Sequence, residues 1–262
     1  MANFWTVFRT ERFRELLGQF VRRELTQRYK QSVLGYFWVI LNPLAQMLVM
    51  SFVFSHIFTR ADIGVPYPLF LFTALLPWNL FSQSLSSSVS SLVSNSGLLS
   101  KIYFPREIFI LSSMIARVVD FLFASLILVV MLILYRIPLT WQALWVFPIF
   151  VIQFLFTYGL GLFVSAANLF YRDIQYLLSL ILLVWMYLTP VMYNSDMFPT
   201  KYRFVFQLNP MAVIVNAYRE VILNGNPPNF NSLAIALALA VVVAVGGFYW
   251  FKNYEGQFAD CV

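Results

Sequence analysis

IFILSSMIARVVDFLFASLILVVMLILY, residues 108–135, decides the class of fold. The stretch carries only two charges, Arg117 and Asp120. About 20 apolar residues suffice for a helix to cross the hydrocarbon core of a bilayer. Five further stretches read the same way: Gly35–Phe58, Pro68–Val93, Ala143–Asn168, Ile174–Tyr193 and Ser232–Phe251. With Ile108–Tyr135 they predict an all-α integral membrane fold of six transmembrane helices. Pro68–Val93 is the weakest of the six, because Pro77 interrupts it and its end, Ser82 to Ser91, is rich in serine. Both residue types are tolerated where neighbouring helices satisfy the backbone.

Composition agrees. The 262 residues are 61% hydrophobic, 19% aromatic and 11% charged, whereas soluble domains carry about 25% charged residues. A soluble globule of this size could not hide so much apolar surface. A soluble enzyme, a disordered chain and a secreted disulfide scaffold are therefore excluded. One cysteine, Cys261, forms no intrachain disulfide, and one histidine, His56, makes no histidine cluster for a metal. His56 reads as structural. The net charge of +6 borders apolar spans, so the expected partner is a membrane surface and not nucleic acid.

Residues 1–34 read as a cytoplasmic amphipathic helix in the membrane interface, and 35–262 as one six-span domain. Phe13, Leu16, Leu17, Phe20, Val21 and Leu25 recur at helical spacing, with Glu15, Gln19, Arg22 and Arg23 opposite. Basic residues are dispersed through this segment without a short apolar core or cleavage site, unlike a signal peptide. Eleven of the 17 basic residues flank the side holding the N-terminus and five the other, with Arg117 inside a span. The bias places both termini in the cytoplasm, as an even number of spans requires. Arg219 is counted among the outer five. Pro210–Leu223 is apolar but short, which suits an outer re-entrant segment between spans five and six. Asn216, Arg219 and Glu220 share one of its faces, Ile214, Ala217, Tyr218 and Val221 another, and Asn224-Gly225 ends it.

Absences narrow the chemistry. The sequence has no G-x-x-x-x-G-K-[ST] for ATP, no T-V-G-Y-G filter, no H-E-x-x-H and no G-x-S-x-G. Gly159-x-Gly161 lies inside a span and reads as helix packing. No obvious internal repeat supports a secondary transporter.

Four features carry the positive reading. The junction from Arg28 and Lys30 through Gly35 to Tyr36 and Trp38 puts cations, then aromatics, at the head of span one. It reads either as an anchor or as a place where anionic lipid headgroups gather. The connector Lys101, Tyr103, Phe104, Pro105, Arg106, Glu107 reads either as an interfacial turn or as a docking helix for a cytoplasmic partner. Arg117 and Asp120, three apart, are expected to pair or face water, because an intramembrane charge is costly. Asp120 is the one carboxylate expected in a buried position. Phe37, Phe52, Trp185, Tyr187 and Tyr193 offer rings on which sugars could stack along a path, although aromatics in spans are mostly core or lipid-facing.

R-Y-K-Q-S-V-L-G-Y-F-W-V-I-L-N-P (28–43), K-I-Y-F-P-R-E (101–107), N-L-F-Y-R-D-I (168–174), L-N-P-M (208–211) and Y-E-G-Q-F-A-D (254–260) together resemble type-2 ABC transporter permeases of polysaccharide export. The likeness covers essentially the whole chain. It is nearest to O-antigen export permeases, with teichoic acid export permeases close by. The resemblance implies a single type-2 transmembrane domain, a homodimer, and two copies of a separate ABC ATPase subunit that bind ATP and Mg. It implies a multi-pass protein of the bacterial inner membrane. The implied cargo is a lipid-linked, usually undecaprenyl-diphosphate-linked, polysaccharide moved from cytoplasm to periplasm. It assigns 98–107 to ATPase docking, 28–38 to the junction of interfacial helix and span one, and 210–223 to an outer re-entrant hairpin. No cofactor is expected in this chain, which reads as a transport subunit and not an enzyme. Rival readings are a permease for teichoic acid or a small lipophilic compound, and a membrane glycan enzyme, which would need paired carboxylates or metal ligands.

The charge bias makes a topological prediction. A membrane-impermeant maleimide added to intact cells is expected to label an Asn226→Cys variant and to spare Cys261. Labelling of Cys261 from outside would reverse the orientation.

Overall fold

A proline and a run of serines make residues 67–94 look like the poorest of the spans, yet among the described helices they form the one with the most buried residues. The computed structural model describes residues 11–30, 32–55, 64–99, 105–197, 199, 201 and 203–259. Among them every regular element is helical. The principal helices are α1 (Glu11–Tyr29), α2 (Phe37–Ser55), α3 (Tyr67–Ser94), α4 (Glu107–Leu134), α5 (Val146–Phe170), α6 (Ile174–Leu188), α7 (Pro210–Arg219) and α8 (Phe230–Tyr254).

Of the 28 residues of α3, 18 are buried, and α4 and α5 pack along it. Its apolar residues Leu69, Leu71, Leu75 and Phe81 fill the main core. Hydropathy undervalues such a helix because its neighbours are protein and not lipid. Several of its polar groups are satisfied there, while Ser88 Oγ is buried without a hydrogen-bond partner among the described residues. Thr73 donates to the Leu69 carbonyl at 2.8 Å and Ser91 to that of Ser88 at 2.7 Å. Asn168 of α5 donates to the Val89 carbonyl at 2.9 Å, and Gln153 to that of Pro77 at 2.7 Å. Pro77 itself has no N–H to give, so the amide of Gln153 tethers the helix at the place where its own ladder is broken.

Among the described residues, four stretches are long and apolar enough to cross a membrane: Phe37–Phe54, Glu107–Leu134, Trp141–Phe170 and Phe230–Phe258. They leave bands of exposed apolar side chains, such as Leu48, Val49 and Phe52 on α2, and Leu126, Val130 and Ile133 on α4. Water would not tolerate such bands, and hydrocarbon would. Helix α6 is apolar but has only 15 residues, with Leu178 and Leu182 alone buried. The sequence predicts this span to reach Tyr193. The helix stops at Leu188 because Pro190 pushes the residue before it out of helical geometry, and Thr189 is extended (φ −100°, ψ 132°).

The expected single helix over 210–223 is α7 followed by a π-helical turn, Glu220–Asn224. Asn209 caps α7, its side chain accepting the Met211 N–H at 3.1 Å. Gly225, in the left-handed region at φ 64°, ends the turn. Helix α1 is amphipathic as expected. Phe13 is buried, and Phe20 meets Phe109 of α4 edge-on at 5.1 Å. Gly35 turns the chain from α1 into α2 with φ 51°, a backbone that other residues rarely adopt.

The tightest seam lies between α5 and α8. A Cβ at Gly159 would stand 2.5 Å from Cα of Ala244, and one at Gly247 would overlap the Gly159 carbonyl oxygen. The glycines of α5 thus serve helix packing, as read from the sequence. Gly246, one residue away, has open space around it. Gly247→Ala is therefore expected to cost about 1–3 kcal/mol through overpacking. Gly246→Ala should leave stability unchanged or slightly raised. Thermal unfolding of the two purified variants in detergent checks this; equal melting temperatures would contradict the seam.

Candidate functional site

Charged and polar side chains gather at three places. The first joins α1 to α4. Arg28 Nη1 lies 3.0 Å from Asp120 Oδ2, and Arg117 Nη1 lies 3.5 Å from the same oxygen. Glu24 stands 3.9 Å from Arg28. Arg117 also donates to Ser87 Oγ at 2.8 Å and to Gln83 Oε1 at 3.0 Å on α3. The Arg117–Asp120 pair expected from their spacing is present, and Arg28, read as part of a different feature, completes it. Trp38, Asn42, Gln83, Arg117 and Asp120 line a cavity of about 110 Å³ beside this cluster. The other members of the junction go elsewhere. Lys30 is exposed and shares a shallow groove on α1 with Arg22 and Arg23. Tyr36 is exposed, and Gly35 is occupied with the turn.

The second place ties the connector to the end of α8. Lys101, Tyr103 and Phe104 lie outside the described residues, as do His56 and Cys261. Pro105, Arg106 and Glu107 are described. Glu107 is only 1% exposed and accepts from Lys252 Nζ at 2.9 Å. Glu255 lies 2.9 Å from the same nitrogen. Arg106 donates its N–H to Glu255 Oε1 at 3.3 Å, its side chain reaches the Glu255 carbonyl, and its guanidinium sits over the Phe258 ring. Glu107 is thus buried, because α4 begins against α8 and not in open solvent, whereas Asp120, the carboxylate expected in a buried position, is only partly so, its side chain 14% exposed. The motifs P-R-E (105–107) and Y-E-G-Q-F (254–258), quoted separately from the sequence, form one unit.

The third place was not singled out from the sequence. Arg219, counted there as an outer-loop cation, is 5% exposed. Its guanidinium points into the protein and donates to four carbonyls: Pro190 at 2.5 Å, Val191 at 2.6 Å, and Phe70 and Tyr193 at 3.4 Å. The Phe70 ring lies 3.5 Å beneath it, a cation–π distance well inside the usual limit. Tyr67 Oη donates to the carbonyl of the remaining residue, Met192, at 2.9 Å. The backbone that left helical geometry after α6 is thereby satisfied from α3 and α7. Helical periodicity put Arg219 on a polar face; only the tertiary packing shows that this face meets unwound backbone. Pro190 just after an apolar run was the available signal.

Beside Arg219 opens a cavity of about 670 Å³, lined by carboxamides, Glu220 and apolar side chains that include Val65, Phe70, Val213 and Leu223. Among the five aromatics read as a path, Phe37, Phe52 and Tyr187 are exposed. Trp185 is half-buried, donates to Asn209 Oδ1 at 2.9 Å and packs edge-on against Phe81. Tyr193 donates to the Tyr187 carbonyl at 2.8 Å. None of the five lines the 110 Å³ or the 670 Å³ cavity. Among the described residues, no three His, Cys, Asp or Glu side chains cluster as metal ligands.

Long apolar helices around a polar-tethered central helix, with ionic clasps at one end and a polar cavity at the other, define a polytopic membrane protein. The chain belongs to the ABC-2 type transporter family, whose sequence profile matches residues 15–223. It is similar to two O-antigen export system permease proteins RfbA of Klebsiella pneumoniae. One is 32% identical over 248 residues and the other 33% over 250, each match covering 94% of both chains. The RfbA permease of Myxococcus xanthus is 30% identical over 254 residues, 95% of this chain and 96% of its own. A polysialic acid transport protein KpsM of Escherichia coli is 27% identical over 247 residues, 89% of this chain and 91% of its own.

Arg219 yields the prediction of this section. Hydrogen bonds from a charged donor are worth about 1.5–3 kcal/mol each, and buried carbonyls left unpaired add to the loss. Arg219→Leu is expected to lower stability by at least about 3 kcal/mol. Arg219→Lys should recover little, since one ammonium cannot reach carbonyls on two sides. Limited proteolysis and thermal unfolding read the effect; a wild-type melting temperature for Arg219→Leu would refute it.

Proposed function

We propose that this chain is the permease subunit of an ATP-driven exporter that moves a lipid-linked polysaccharide across the bacterial inner membrane. The observation that carries the proposal is the likeness, along nearly the whole chain, to O-antigen export permeases at 30%, 32% and 33% identity. The relatives named for polysialic acid transport, at lower identity, point to the same cargo class, a long glycan, and away from a small lipophilic compound.

In this reading the protein is not an enzyme. ATP and Mg bind to two copies of a separate ABC ATPase, in keeping with the missing phosphate-binding loop, and the permease acts as a homodimer. Helices α2, α3, α4, α5, α6 and α8 are the six crossings, and α7 with its π turn is the outer re-entrant segment. Both termini are cytoplasmic, which sets the α1 junction and the connector on the inner side and the 670 Å³ cavity on the outer. Residues 101–107 dock on the ATPase. The link from Arg106 and Glu107 to Lys252 and Glu255 would carry a push on the connector directly into α8. The rings of Phe37, Phe52, Trp185, Tyr187 and Tyr193 border the glycan path in the dimer.

The undecaprenyl-diphosphate headgroup is received at the α1 junction. Arg28 and Arg117 both meet the carboxylate of Asp120, with Glu24 beside Arg28, and a doubly charged phosphate group can compete with these carboxylates for them by charge-assisted hydrogen bonds. Lys30, with Arg22 and Arg23 in their groove, draws the anion from the membrane surface.

Deleting the gene in its own bacterium is expected to abolish surface polysaccharide and to accumulate the lipid-linked glycan inside. Arg28→Glu with Lys30→Glu should insert normally, yet give at least tenfold less surface glycan per inserted permease, about the effect of losing one charge-assisted contact. Unchanged surface glycan after deletion sinks the proposed function. An unchanged ratio in the double variant sinks only the headgroup assignment.

A further inference from the structure

The 670 Å³ cavity has a composition that the membrane-crossing reading does not call for. Its volume falls in the range of sites that hold small molecules. Asn194, Gln207, Asn216, Asn224 and Asn226 supply carboxamides, and Glu220 is the carboxylate among the described lining residues. The lining is more than a wet surface, because the fold presents it. Asn226 donates its side-chain amide to Glu220 Oε2 at 3.3 Å and its backbone N–H to the Glu220 carbonyl at 3.0 Å. Asn216 donates to Ser195 Oγ at 3.5 Å. The π turn over Glu220–Asn224 shifts the register of the helix, and Gly225 then reverses the chain. A Cβ on Gly225 would meet Thr140 Cγ2 at 2.9 Å, so the rim is wedged against the segment before α5. Single π turns are recurrent at binding sites.

The chemistry of the lining selects a ligand class. Arg219, the cation among the described lining residues, already spends its donors on four backbone carbonyls, so these residues offer an anion little. An apolar molecule would strip water from many amides without replacing it. Carboxamides pair a donor with an acceptor, which matches vicinal hydroxyls that each donate and accept. Phe206, Val213 and Pro227 add apolar surface on the same wall, suited to the C–H face of a pyranose ring.

We infer that this cavity is a binding site for a short neutral stretch of oligosaccharide, separate from the α1 junction and from the five aromatics considered as a path. The choice of sugar rests on the proposed function: the site holds units of the exported glycan on the outer side as they emerge.

The test uses the full-length permease with its ATPase in nanodiscs. The probe is the oligosaccharide mixture released by mild acid from the surface polysaccharide of the source bacterium, with binding read by saturation-transfer NMR. Wild-type protein is expected to bind it. Asn224→Leu with Asn226→Leu, both exposed positions, should weaken binding about tenfold, the effect of two lost hydrogen bonds. Gln207→Leu, also exposed and outside the turn, should weaken it independently, so the inference stands or falls even if the double variant does not fold. The same strain lacking the gene is scored for surface polysaccharide. If deletion removes the polysaccharide but wild-type protein fails to bind the probe, or both variants bind as wild type does, the site is refuted and the export function stands. If deletion leaves the polysaccharide intact, the export function is refuted and this site with it.

Discussion

The guanidinium of Arg219 is the interaction on which the end of the fold around α7 and the close of α6 depends. Hydrocarbon offers no water to an unwound backbone, so each freed carbonyl must find a donor within the protein. Pro190 frees several at once where α6 ends. Arg219 has five N–H groups in a rigid fork, and no other side chain could serve carbonyls on both α3 and the segment after α6. Once it is in place, α7 cannot slide, the π turn follows directly, and the carboxamides of the following loop are gathered around one cavity. The cation–π contact with Phe70 adds to what makes a charge tolerable at such burial.

At the opposite end the same economy of charge is met with carboxylates. Asp120 holds Arg28 and Arg117, and Glu107 holds Lys252. Each clasp joins elements distant in sequence: α1 to α4, and α4 to α8. Ion pairs on an open surface are worth little, but these sit where apolar packing has already been laid down by Phe13, Phe109, Phe251 and Phe258. They select which face of each helix is presented more than they hold the helices together.

Much of the architecture was legible in the sequence because hydrophobic length is a local property. The apolar runs containing α4, α5 and α8, the amphipathic stripe of α1 and the helix-packing glycine at 159 could all be read within a window of some twenty residues. What failed were features set by contacts between windows. The serines of α3 lowered its apparent merit as a span, whereas their small size, and in Ser82, Ser86, Ser87, Ser90 and Ser91 a hydroxyl bonded within the helix, suit a helix enclosed by protein. Glu107 looked solvent-exposed until Lys252, 145 residues away, was brought to it. Arg28 and Asp120 were both noticed, but nothing local could pair them. Arg219 was missed for the same reason, since its partners are backbone groups that carry no sequence signature.

The contact of Gly159 with Gly247 has a mechanical consequence. Two backbones in direct touch leave no layer of side chains to shear, so α5 and α8 behave as a single weld, with α3 and α4 packed alongside. Helices α2 and α6, by contrast, rest on this block through few buried residues. The stiffness of the subunit is therefore concentrated in one slab and its compliance in two thin leaves. Any widening of a passage falls on those leaves, with the slab as the fixed wall against which they swing.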